Sequence, residues 1–154
     1  MHFNGITDRY MIYGTLFALS NRIQTLGDGV FGEVTMKQHF LLISLGVFDE
    51  APSLKEVADF MGCTYQNVKR MASALERKGY IDIIQDVRDH RRLNLYLTEK
   101  VSNLEKEYEE ISTQFINQMF EEIPDKDIYT TLKTLESMNQ NLRGGLQNEN
   151  YSSL

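Results

Sequence analysis

Residues 53–80 read SLKEVADFMGCTYQNVKRMASALERKGY, and the sequence writes two helices and a very short turn into them. Ser53-Leu54-Lys55-Glu56 is a capping box: the serine oxygen and the glutamate carboxylate each accept from a backbone N–H that the first helical turn leaves unpaired. Leu54, Val57, Ala58 and Met61 then fall on one face of a short helix. Gly62 closes it, Cys63 occupies the turn, and Thr64 is placed to cap a second helix from about Tyr65 to Lys78. Val68, Met71, Ala72 and Leu75 form the buried stripe of that helix, and Gly79 stands at its C-terminal boundary. A short helix, a tight turn and a longer helix make a helix-turn-helix.

Working outward, two strands follow, Tyr80 to Gln85 and Arg92 to Leu97, the second alternating apolar with polar residues. The turn between them, Val87-Arg88-Asp89-His90-Arg91-Arg92, carries three arginines. A hairpin directly after a helix-turn-helix makes the unit a winged helix. Upstream, Thr35-Met36-Lys37-Gln38 is another capping box, opening a helix that is apolar nearly all round and so expected to be buried. Asp49-Glu50-Ala51-Pro52 breaks it. Before it, Ile12, Leu16, Leu19, Ile23 and Leu26 recur every three or four residues, a helical stripe widened by Tyr10, Tyr13 and Phe17 and expected to end at Gly27-Asp28-Gly29.

Downstream, Thr98 is expected to cap a long helix with Leu104, Tyr108, Ile111, Phe115 and Met119 on one face. Pro124 interrupts, and Asp125 is expected to cap a last helix bearing Ile128, Leu132, Leu135 and Leu142. The fold class is therefore mainly α with a small β-hairpin wing. The expected organisation is an N-terminal helix over 1–30, a winged helix-turn-helix over 31–100, two C-terminal helices over 101–143 and a disordered polar tail over 144–154.

The net charge of −6 is unevenly spread. Residues 53–100 hold nine Lys/Arg against seven Asp/Glu, whereas the rest of the chain holds seven against fifteen. A basic segment between acidic flanks points to the winged helix as a nucleic-acid contact, since distribution matters more than the sum. The first turns of the second helix, Thr64-Tyr65-Gln66-Asn67-Val68-Lys69-Arg70, place hydrogen-bonding side chains everywhere except at the buried Val68, and no carboxylate appears until Glu76. Gln66 and Asn67 can pair bidentately with adenine and Arg70 with guanine in the major groove. Lys69 suits phosphate. In the turn, Arg91 suits the narrow minor groove, with Asp89 holding its guanidinium, while Arg88, His90 and Arg92 suit the backbone. The site expected from sequence is thus Thr64, Tyr65, Gln66, Asn67, Lys69, Arg70, Arg88, Asp89, His90, Arg91 and Arg92, with double-stranded DNA as partner.

Other chemistries find no support. No apolar run reaches the roughly 18 residues of a membrane helix, and Met1-His2-Phe3-Asn4-Gly5 lacks a signal-peptide pattern. One cysteine excludes an internal disulfide framework and fits the cytoplasm. His2, His39 and His90 have no His or Cys neighbour at metal-ligand spacing. Neither a P-loop nor a nucleophile elbow is present, and no catalytic residue, metal or cofactor is expected. An acidic chain could also use a winged helix to bind protein and not DNA, but the carboxylate-poor helix and arginine-rich turn argue against that.

The order of elements, together with Leu54-Lys55-Glu56-Val57-Ala58, Leu75-Glu76-Arg77-Lys78-Gly79-Tyr80-Ile81, the Asp-x-Arg of Asp89 and Arg91, and Leu97-Thr98-Glu99-Lys100, resembles the MarR family of bacterial transcriptional regulators. Val101 stands where that family carries glycine. The resemblance, over roughly 7–143, implies a homodimer held by its terminal helices. It implies two winged helices on a pseudo-palindromic operator, repression, and a small aromatic or phenolic effector. Tyr13, Phe17, Met36, His39 and Phe40 could line a cleft for such an effector, although aromatic residues at helical spacing more often form core.

Overall fold

The computed structural model describes residues 7–145. The elements run α1 (Asp8–Val30), α2 (Met36–Leu45), α3 (Leu54–Met61), α4 (Tyr65–Arg77), β1 (Ile81–Gln85), β2 (Leu93–Leu97), α5 (Lys100–Met119) and α6 (Asp125–Gly145). They divide into two compact units, Met1–Ile111 and Ser112–Leu154. This is the winged helix-turn-helix expected from the sequence. The tail expected from 144 falls, beyond residue 145, outside the described residues.

Both capping boxes form. Thr35 Oγ1 accepts from the Gln38 N–H at 3.2 Å while Gln38 Oε1 accepts from the Thr35 N–H at 3.1 Å. Ser53 Oγ accepts from the Glu56 N–H at 3.2 Å, and Glu56 Oε2 accepts from the Ser53 N–H at 2.7 Å. Thr64 caps α4 through the Asn67 N–H. Gly62 ends α3 at φ +65°, the left-handed region open to glycine without steric cost.

The core of the first unit fills the space between α2, α3, α4 and the hairpin. Leu41, Leu42 and Leu45 meet Leu54, Val57 and Ala58, then Val68, Ala72 and Leu75, with Ile81 and Leu95 closing one side. Each of these leucine, valine and isoleucine side chains contributes about 1.5–3 kcal/mol on burial. Phe31, after α1, stacks on His39 with ring centroids 4.4 Å apart, and Tyr108 of α5 meets Phe31 edge-on at 5.1 Å.

The hairpin pairs antiparallel from Ile81↔Leu97 to Gln85↔Leu93. Its outer edges are both engaged. The Leu95 N–H donates to the Pro52 carbonyl at 2.9 Å beside a bridge between Ser53 and Asn94. On the other edge the Ile83 N–H donates to Glu76 Oε1 at 3.1 Å. A polar cluster ties the loop after α1 to the end of α4 and to α5: Tyr80 donates to the Glu33 carboxylate, the Glu33 N–H to Tyr108 Oη, and Lys78 Nζ to the Glu33 carbonyl.

Several sequence expectations are corrected. Helix α1 does not stop at Gly27-Asp28-Gly29 but runs on to Val30. Gly27 is buried against Met36, where a Cβ would lie 2.7 Å from the Met36 sulfur, and Asp28 Oδ1 accepts the Met36 N–H at 2.6 Å. The glycine permits close approach and the aspartate supports the start of α2; neither ends a helix. Helix α2 is buried on one face only, with Phe40 and Ile43 exposed. The Thr98 hydroxyl donates to the Gly79 carbonyl and so joins α4 to α5 where an α5 cap was expected. Asp125 lies inside α6, and the Pro124 carbonyl accepts from the Asp127 and Ile128 N–H groups. Tyr13 and Phe17 of α1, read more readily as core, are exposed, as are Leu26 of the same helix and Leu132, Leu135 and Leu142 of α6.

Candidate nucleic-acid interface

Helix α4 buries Val68, Ala72 and Leu75, which turns its opposite face outward. Thr64, Tyr65, Gln66, Asn67, Lys69 and Arg70 are all exposed on its first two turns. The side chains that can read base edges are thus set on a helix fixed from behind by a dry stripe.

The wing tip is built by aspartates accepting backbone N–H groups. Asp86 Oδ1 accepts from Arg88 at 2.7 Å and from Asp89 at 3.0 Å, while Asp89 Oδ1 accepts from Arg91 at 3.0 Å. The strand ends close the loop through Asp86 N–H to the Arg92 carbonyl, and the Arg92 N–H donates to the Asp89 carbonyl. The N–H groups of Asp89 and Arg88, joined by the Asn94 amide, hold the Asp86 carboxyl below the ordinary aspartate value. The sequence placed Asp89 on the guanidinium of Arg91; in the structure it holds that residue's backbone N–H. Arg88, His90 and Arg91 are exposed at the tip.

Arg92 is tied back to the fold while staying exposed. Its Nη2 donates to Glu56 Oε2 at 2.8 Å and its Nε to Asn94 Oδ1 at 3.0 Å. Glu56, Asn94 and Asp86 were not singled out from sequence. The capping box did flag Glu56, but only as a helix cap; its partner lies 36 residues away. A groove of about 470 Å³ opens between the first turn of α3, Tyr65 of α4 and the wing, lined among others by Lys55, Glu56, Tyr65, Asp89 and Arg91. The wing and the start of α4 therefore share one surface.

Cys63 is half-buried against the core, and burial pushes its thiol up, with the Lys37 charge opposing. That is the reverse of an activated thiolate. Among the described residues there is no group of three or more His, Cys, Asp or Glu side chains placed to hold a metal ion, and no helix is long and apolar enough to cross a membrane.

The fold and the exposed face of α4 define a winged helix-turn-helix domain. Residues 34–93 match the sequence model of the MarR family. Among solved structures, a MarR protein from Peptoclostridium difficile is 22% identical, with 94% of each chain covered and a TM-score of 0.78. The MepR–DNA complex of S. aureus gives 20% identity over 89% of this chain and 99% of that one, at a TM-score of 0.74. The organohalide-sensing RdhR transcriptional regulator in its 2,4-dichlorophenol-bound form gives 16% identity over 92% and 85%, at 0.77. These are likenesses of fold. No curated protein matches the sequence.

Proposed function

We propose that this protein is a transcriptional regulator that binds double-stranded DNA as a homodimer. The observation that carries the reading is the groove shared by Tyr65 of α4 with Asp89 and Arg91 of the wing. A duplex laid on that surface would take α4 in its major groove and the wing tip along the adjacent backbone and minor groove. Gln66, Asn67 and Arg70 read base edges; Thr64, Tyr65, Lys69, Arg88 and His90 meet phosphate; Arg91 enters the minor groove. Arg92, through Glu56 and Asn94, and Asp89, through the Arg91 N–H, also set the shape of the wing. The relative of like fold solved with DNA, MepR, supports the partner.

The homodimer is supported by the exposed apolar residues of α1 and of α6, which a partner chain would cover. On this reading residues 1–30 and 101–143 are the dimerisation helices, 31–100 is the DNA-binding domain, and the operator is pseudo-palindromic. Repression relieved by a small aromatic or phenolic effector completes the proposal; the 2,4-dichlorophenol bound by RdhR supports that ligand class. A cytoplasmic location follows from such a role.

Selection of bound duplexes from a random DNA library tests the reading. A two-fold symmetric motif is expected, with affinity falling as salt rises at a log–log slope of about −0.9 per phosphate contact. Arg70→Ala should cost about 1–3 kcal/mol and relax preference at one base pair per half-site. Failure to enrich any duplex would favour a winged helix that binds protein.

A further inference from the structure

The side chains that touch DNA in the proposed reading do not account for the polar bonds behind them. Ser53 donates to Glu56 Oε2 through both its N–H and its hydroxyl, each at 2.7 Å. The same oxygen accepts from Arg92 Nη2, and Arg92 Nε donates to Asn94 Oδ1. The Asn94 amide donates to Asp86 Oδ2 at 3.1 Å, and the other Asp86 oxygen holds the N–H groups of Arg88 and Asp89. Asp89 in turn holds the N–H of Arg91. This is an unbroken chain of hydrogen bonds from the N-terminus of α3 to the residue at the wing tip. Asn94 is buried, so its amide has a fixed orientation, while the wing's loop has no apolar anchor of its own: Val87, at its base, is 87% exposed.

We propose that Glu56 and Asn94 are positioning residues for DNA binding, setting where Arg91 stands relative to α4 without touching DNA. The inference rests on the reading of Arg91 as a DNA contact. The bridge between Arg92 and Glu56 is solvent-accessible on both sides, 42% and 47%, and as an isolated pair it would add little to stability. Its consequence is geometric. Arg92 follows Arg91 directly, so a guanidinium held on α3 fixes the backbone from which Arg91 projects. The first turn of α3, through Lys55 and Glu56, and the wing, through Arg91 and Arg92, are opposite walls of one groove, and this bridge spans them.

Glu56→Gln is the informative variant, because glutamine keeps the capping box and removes the charge that grips Arg92. The full chain, its selected operator, and the variants Glu56→Gln, Asn94→Ala, Arg91→Ala and their doubles form thermodynamic cycles. Glu56→Gln is expected to weaken operator binding about two- to fivefold, the size of an exposed charge pair. That loss should vanish in the Arg91→Ala background, since the residues act through one contact. An equal loss in both backgrounds would overturn the proposal, placing the effect in the helix cap. A second measurement needs no DNA: the backbone amide resonances of Arg88, Asp89 and Arg91 should shift in Glu56→Gln. Unshifted resonances would overturn the positioning role even if Arg91→Ala binds poorly. Shifted resonances with an Arg91→Ala of unchanged affinity would uphold the coupling to the wing and reject the wing as a DNA contact.

Discussion

The winged helix and the terminal helices both carry apolar stripes and use them in opposite ways. In the winged helix Leu54, Val57, Val68, Leu75, Ile81 and Leu95 are almost wholly removed from water within one chain. In α1 and α6 many apolar side chains remain exposed, among them Phe17 at 60% and Leu142 at 68%. Periodicity alone does not distinguish these cases, because a stripe specifies that a face will be covered and not by what. The difference separates apolar surface that this chain covers by itself from apolar surface that it leaves open.

The sharpest way to break this contrast is to truncate one leucine on each side of it. Leu75→Ala should cost about 2–5 kcal/mol at every protein concentration, because it opens a cavity in a closed core. Leu132→Ala should change the unfolding of dilute chain by no more than about 0.5 kcal/mol, as at an ordinary surface site, yet, on the homodimer proposed above, raise the dimer dissociation constant. Chemical denaturation across a concentration series, with sedimentation, reads both. An equal, concentration-independent cost at the two leucines would erase the distinction.

Gly27 marks the point in α1 where the contrast reverses, since it alone in that helix is buried. Gly27→Val should destabilise by about 1–3 kcal/mol through overpacking, and Met36→Ala should recover much of that loss. Thermal unfolding of the two single variants and the double variant checks it.

Acid should act more gently on the wing. Ser53's backbone N–H, then its hydroxyl, then Arg92 hold Glu56 below the ordinary value of 4.5, and Asp86 is likewise held below 3.8. Both are deprotonated partners in the folded chain. Their contribution is complete above those ordinary values and is lost as pH falls from them through the lower folded values. Amide resonances of the wing tip should therefore begin to move below about pH 4.5, and Glu56→Gln should remove the part due to Glu56.

The smallest effect belongs to His39, whose ring stacks on Phe31 and faces Tyr108. Burial lowers its value from the ordinary 6.5. As pH falls below 6.5 the unfolded chain takes up the proton first, so stability should decline over that window. His39→Phe should flatten the decline in a plot of melting temperature against pH.

What the sequence disclosed was local. The two capping boxes, the glycine at 62, the dry stripe of α4 and the hairpin are each written within a few residues, and all are present in the structure. What it withheld depends on residues far apart in the chain. Gly27 reads as a helix terminator until Met36 is seen against it. Arg92 reads as one more free cation of the turn until Glu56, on another element, is found at its end. Asp89 fits a guanidinium partner by spacing, yet the backbone N–H of Arg91 is nearer. The exposed face of α4 was legible because its buried face was; the scaffold behind the wing was not.

The blocked edges of the hairpin bear on solubility. A two-stranded sheet ordinarily offers two rows of unpaired backbone groups to any passing strand, and this one also exposes Ile84, Val87 and Tyr96. Pro52 and Ser53 occupy the outer side of β2, and the Glu76 carboxylate sits on the β1 edge at Ile83. A charged acceptor cannot continue a sheet, and a proline lends its carbonyl without an N–H to offer in return. The wing can thus stand out from the protein, apolar side chains included, without serving as a template for strand-to-strand aggregation between copies.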